Sequence, residues 1–128
     1  SGTDYQKGGK MRRAMDLIDA TYREIERNPN QLSFCTTAAE IRRAKRQNKI
    51  CILMGIEGGY VIENSLYALR NFYRLGIRYM TLTHNVSHDW ADAHRGEVKN
   101  NGLSDFGKEV VREMNRLGML IDISHVSD

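Results

Sequence analysis

The sequence predicts an α/β fold with a parallel sheet, and three observations carry that prediction. Residues 50–56, Ile-Cys-Ile-Leu-Met-Gly-Ile, form a continuous apolar run without polar alternation, which suits a strand buried on both faces. Two more strand-like runs follow at 77–83 and 119–123. The stretches between them carry apolar residues at helical spacing. A β-α-β-α-β order of this kind calls for right-handed crossovers between parallel strands.

The elements follow in order. Met11, Ala14, Met15, Ile18, Tyr22 and Ile25 recur with helical period, so 11–27 reads as a helix, ended by Asn28-Pro29-Asn30. Thr37-Ala38-Ala39-Glu40 fits a capping box, in which two side chains satisfy free backbone N–H groups, and opens a helix that should stop near Asn48. After the strand at 50–56, a helix from Asn64 or Ser65 to Leu75 places Leu66, Leu69, Phe72 and Tyr73 on one side, with Gly76 as its C′ residue. The strand at 77–83 leads into a long polar connection, 85–103, of a length that is functional or disordered in most proteins. Ser104 caps a helix over 105–117 with Phe106, Val110, Met114 and Leu117 inward, and Gly118 ends it before the last strand. The chain thus reads as one partial domain, with a helical lead-in over 1–49 and a βαβαβ segment over 50–128. It stops directly after a strand, so it is expected to be part of a larger α/β protein. No internal repeat is visible.

Composition narrows the function classes. Leu, Ile, Val and Phe make up 29 of 128 residues, enough to build a core and too many for a disordered chain. No window approaches 18 apolar residues, so no membrane span is expected, and the first ten residues lack a signal-peptide core. No compartment is assigned. Cys35 and Cys51 lie 16 apart without a CxxC or a nearby His, and they read as two structural thiols rather than a metal knuckle or a disulfide framework. The net charge of +3 divides into +5 over residues 1–50 and −2 over 51–128. The basic run from Arg42 to Lys49 admits a nucleic-acid reading, but no aromatic interleaves it, and a solvated helix face near a C-terminus is favoured.

The three strands of the βαβαβ segment each end near a residue able to do chemistry: Glu57, His84 and His125. In parallel α/β sheets and barrels, sites form at the carboxyl ends of strands. Taken singly, Glu57 can be a turn residue, His84 a hydrogen-bonded strand exit and His125 a helix cap. Taken together, a carboxylate and two imidazoles make a plausible ligand set for a hydrolytic metal. Gly58-Gly59 lets the backbone turn sharply behind Glu57. A carboxylate on such a turn can face two cations about 3.5–4 Å apart. His88 and His94, in the polar loop, read as solvated, and Asp122 as hydrogen-bonded support rather than a ligand.

Longer motifs then coincide. Gly55-Ile56-Glu57-Gly58-Gly59, Asn64-Ser65-Leu66, the run from Leu75 to Asn85, Trp90-Ala91-Asp92, the run from Gly102 to Gly107, and Asp122-Ile123-Ser124-His125-Val126-Ser127 resemble the membrane (renal) dipeptidase family of zinc peptidases. The match is dense over 50–128 and looser over 11–49. The resemblance implies a (β/α)8 barrel of TIM type, of which this chain is an incomplete internal piece. It also implies metal-assisted hydrolysis of dipeptides, some with a C-terminal D-residue, by two zinc ions. Glu57 matches the carboxylate that bridges the zincs, His125 a zinc ligand, and His84 a histidine that contacts substrate and helps hold the tetrahedral intermediate. The family's opening His-x-Asp pair has no counterpart here, and Tyr60 stands where many relatives have histidine. The expected partner is a dipeptide, with a homo-oligomer left open and neither nucleic acid nor membrane contact expected. The chain alone is expected to be inactive. The alternatives are a non-catalytic binding protein on the same scaffold and a metal-dependent hydrolase of another small amide or lactam.

Overall fold

The computed structural model describes residues 9–128. The signal-peptide reading concerns residues 1–10 and falls almost wholly outside them. The described chain is α/β, with parallel pairing throughout its named strands. Helix α1 (Lys10–Arg27) turns Ile18 into the core, and Tyr22 donates from its hydroxyl to the Leu75 carbonyl at 2.6 Å. Strand β1 (Leu32–Phe34) follows, then α2 (Ala38–Arg46). The capping box is present: Glu40 N donates to Thr37 Oγ1 at 3.2 Å and Thr37 N to Glu40 Oε2 at 3.1 Å. Arg42, Arg43, Lys45 and Arg46 are exposed on α2, the last three in its final turn, where cations suit the helix dipole.

Strand β2 (Ile50–Ile52) pairs with β1, whereas β3 (Met54–Glu57), β4 (Ile77–Thr81) and β5 (Leu120–Asp122) form a second sheet in that order. Helices α3 (Leu66–Arg74) and α4 (Asp105–Leu117) start at Ser65 and Ser104, whose hydroxyls accept from Ala68 N and Gly107 N. Gly76 and Gly118 follow their C-termini with positive φ, as expected of C′ glycines. Leu69, Phe72, Val110 and Met114 pack with Ile56 and Met80 in one core cluster. Glu113 of α4 accepts from Arg70 of α3 and from Arg116, which holds its carboxyl down at about 2. Among the described residues, no helix is long and apolar enough to cross a membrane.

Two expectations are corrected, and one strand is added. The apolar run 50–56 is not one strand buried on both faces. It breaks at Leu53: its first part pairs with β1 and its second with β4. Met54 and Ile56 are buried, whereas Gly55 and Glu57 face the other side, where Tyr79 and Leu120 are exposed. Strand β1 is the addition: its three residues beside Asn28-Pro29-Asn30 are too short to display a period.

The second correction concerns Cys35 and Cys51, which form a disulfide rather than two thiols. Parallel pairing of β1 with β2 closes the 16-residue separation, since Ser33 is opposite Cys51 and Cys35 N donates to Ile52 O. In a peptide map of the unreduced protein, Cys35 and Cys51 are expected as one cross-linked pair. Its reduction should lower stability by about 3 kcal/mol, the value for a loop of this size. Two labelled thiols would restore the original reading.

Candidate metal centre

Glu57 is the last residue of β3, and the turn behind it is held to the neighbouring strand by two bonds. Gly58 N donates to Thr81 O and Gly59 N to Leu82 O, both at 3.1 Å. Gly58 has φ +101°, and a Cβ on Gly59 would come within 2.3 Å of the Trp90 ring, so both positions require glycine. His84 lies three residues beyond β4, with Asn85 Nδ2 3.3 Å from its Nε2. His125 lies three residues beyond β5 with a left-handed φ of +67°. Asp122 shapes that turn, because its Oδ1 accepts from Ser124 N and Oγ while its Oδ2 accepts from Thr81 Oγ1. Hydrogen bonds from Ser124 and Thr81 hold the Asp122 carboxyl below the usual carboxylate range. This is the supporting role the sequence suggested.

The three strand-end residues converge. His125 Nε2 is 3.3 Å from Glu57 Oε1, and His84 Nε2 is 3.6 Å from the same oxygen. The two imidazole rings meet edge to face at 4.8 Å. One ligand atom from each residue lies within 4.8 Å of the others. All three side chains are partly exposed, Glu57 most of all at 60%. Two imidazole nitrogens and a carboxylate oxygen suit a divalent transition metal, with coordination positions left for further ligands.

The other loop histidines part company. His94 is exposed, as expected. His88 is not solvated but half-buried, set edge to face against Trp90 at 4.6 Å and Tyr60 at 5.9 Å. Burial lowers its pKa, and the neutral ring donates from Nε2 to Leu82 O at 2.9 Å. The connection 85–103 is ordered around buried Trp90 and Asp92 rather than polar throughout. Asp92, 2% exposed, accepts from Lys99 N, Asn100 N, Asn100 Nδ2 and Gly102 N. Burial raises its pKa, but those hydrogen bonds, from Asn100 first, outweigh it and hold the carboxyl low. Ala93 bridges to Val126, and Ser127 N donates to Asp92 O, which ties this loop to the His125 turn. An acid between Trp90-Ala91 and Ala93, with Asn100 and Gly102 downstream, is the only sequence trace of that organising role.

A family model, that of the membrane dipeptidases (peptidase family M19), matches residues 2–128. The chain belongs to this family. An amidohydrolase from Pseudomonas aeruginosa is similar in structure, with a TM-score of 0.84 and 30% identity over 90% of this chain and 35% of that one. The probable dipeptidase PvdM from the same organism gives 0.82 and 26%, over 85% of this chain and 29% of that one. A metallopeptidase from Rhodobacter sphaeroides, solved with a phosphinate mimic of the dipeptide L-Ala-D-Ala, gives 0.75 and 27%, over 86% and 33%. The membrane-dipeptidase segment therefore spans about a third of the length of these solved structures.

Proposed function

We propose that the complete protein containing this segment is a zinc-dependent dipeptidase on a (β/α)8 barrel, to which residues 1–128 contribute one partial domain. The observation that carries this reading is the convergence of Glu57, His84 and His125 at the ends of three consecutive parallel strands. Family membership and the dipeptide mimic held by the Rhodobacter sphaeroides relative support dipeptides, including one with a C-terminal D-residue, as the substrate class.

In this reading Glu57 and His125 would hold the metal, and the complete protein would supply its remaining ligands. Zinc, when bound, supplies Lewis acidity at the scissile carbonyl and lowers the pKa of water. His84 donates a hydrogen bond to the carbonyl oxygen as negative charge develops there. Gly58-Gly59 and the Asp122 turn keep Glu57 and His125 in place. The segment alone has two of these ligands and is expected to be inactive. A second reading, hydrolysis of another small amide, draws support from the Pseudomonas aeruginosa amidohydrolase.

The deciding experiment is elemental analysis of the complete protein together with an L-Ala-D-Ala hydrolysis assay. Two zinc ions per chain and turnover are expected; a zinc-free protein without turnover would sink the reading. His84→Ala should retain zinc and lose turnover. If it loses zinc instead, His84 belongs among the ligands, consistent with its 3.6 Å distance from Glu57.

A further inference from the structure

His84 leaves β4 on a span with little backbone support. Strand β4 ends at Thr81, and Leu82 is still held: its N–H donates to Asp122 O and its carbonyl accepts from Gly59 N, both at 3.1 Å. Among the described residues, no backbone group of Thr83, His84, Asn85 or Val86 is hydrogen-bonded. The chain is fastened again at Ser87 and His88. Ser87 Oγ accepts from Ala93 N at 3.0 Å, His88 N donates to Ala91 O at 3.0 Å, and His88 O accepts from Asn100 Nδ2 at 2.9 Å.

The His88 ring closes this span. Its Nε2 donates to the Leu82 carbonyl at 2.9 Å, six residues back in sequence. A carbonyl only accepts, so Nε2 carries the proton. Nδ1 is buried with no hydrogen-bond partner among the described residues, and a second proton there would be a buried donor without an acceptor. Burial favours the neutral ring, and Lys10 adds to that effect against the Leu82 carbonyl, Asp89 and Asp92. Trp90 at 4.6 Å and Tyr60 at 5.9 Å meet the ring edge to face and fix its plane. The same Leu82 oxygen also holds Gly59, so one carbonyl joins the loop that carries His84 to the turn behind Glu57.

We propose that His88 is a positioning residue: its ring clips residues 82–88 into a closed loop and so fixes His84 beside Glu57. Only the catalytic consequence rests on the peptidase reading above. Without the clip, Leu82 keeps both of its backbone bonds, and the turn behind Glu57 keeps its own. The span 83–86 then has no closure, and low local bonding makes a segment mobile. The loss therefore falls on His84 and spares Glu57 and His125, the candidate ligands. A histidine that served packing alone would not divide its effect in this way.

In the complete, zinc-loaded protein, His88→Leu removes the donor, whereas His88→Gln keeps an N–H near the Nε2 position. His88→Leu is expected to lower kcat for L-Ala-D-Ala roughly 5- to 10-fold, with KM within about threefold and zinc content unchanged. His88→Gln should recover most of that loss. Backbone order parameters over 83–87 should fall in His88→Leu alone, from about 0.85 toward 0.6. If His88→Leu does not fold, His88→Asn, whose amide stops short of the Nε2 position, takes its place. An unchanged kcat, unchanged order parameters, equal losses in the Leu and Gln variants, or a loss of zinc each overturns the proposal and leaves the dipeptidase reading standing. If the wild type shows no turnover, the dipeptidase reading fails and the order parameters decide alone. A fall confined to the variant without the donor keeps the clip, and any other pattern overturns it.

Discussion

Glu57→Gln, made in the complete protein, is expected to lose zinc and to cut dipeptide turnover by at least about 100-fold. The substitution keeps the shape of the side chain but removes its charge and replaces one ligand oxygen with an NH2 group. A neutral amide offers a cation one oxygen and no negative charge. The Glu57 side chain is 60% exposed and, among the described residues, meets only His84 and His125 as ionic partners, so the stability of the metal-free protein should change by no more than about 0.5 kcal/mol. That separation makes the measurement clean. Metal content and turnover should fall together, while the thermal transition should match that of the wild type stripped of metal, since metal bound to the folded state adds stability by mass action. A variant that keeps both zinc and activity would remove Glu57 from the ligand set. His125→Ala should lower zinc affinity in the same assay.

The same three residues show how far the sequence reaches. Glu57, His84 and His125 were legible because parallel strands deliver their carboxyl ends to one edge, and each strand could be located from its own apolar run. Their 3.3 and 3.6 Å approach depends on register, Glu57 opposite Thr81 and Thr81 opposite Asp122, which no single run encodes. The helices were equally legible, since Thr37, Ser65 and Ser104 announce their starts through local chemistry. What stayed hidden was contact across the chain. The Cys35–Cys51 pair needs strand β1, and β1 is visible only through its partner β2. His88 looked solvated because its neighbours in sequence, Ser87 and Asp89, are polar, whereas its neighbours in space are Trp90 and Tyr60.

Asp92 is the residue where that hidden organisation can be tested most sharply. Asp92→Ala is expected to destabilise the protein by about 2–4 kcal/mol, read as a lower urea midpoint. The cost arises because Lys99 N, Asn100 N, Asn100 Nδ2 and Gly102 N all donate to this one carboxylate. Removing it strands those donors, and those that cannot reach water lose their bonds outright. Asp92→Asn should fall between the two, since the amide keeps one acceptor oxygen and turns an NH2 group toward donors. The pH profile separates the charge from the packing. The folded-state pKa of Asp92 lies below its ordinary value of 3.8, so its contribution is complete above that value and is lost as pH falls through the depressed one. Asp92→Asn should therefore flatten part of the acid limb of the stability curve, leaving the parts due to Glu113 and Asp122. Amide exchange at residues 99–102 should rise before the rest of the chain opens. Because Ser127 N and Ala93 tie this loop to the His125 turn, turnover should fall as well, although Asp92 touches no candidate ligand. A variant with unchanged stability and unchanged exchange at 99–102 would mean that the loop is held by Trp90 packing and not by its buried carboxylate.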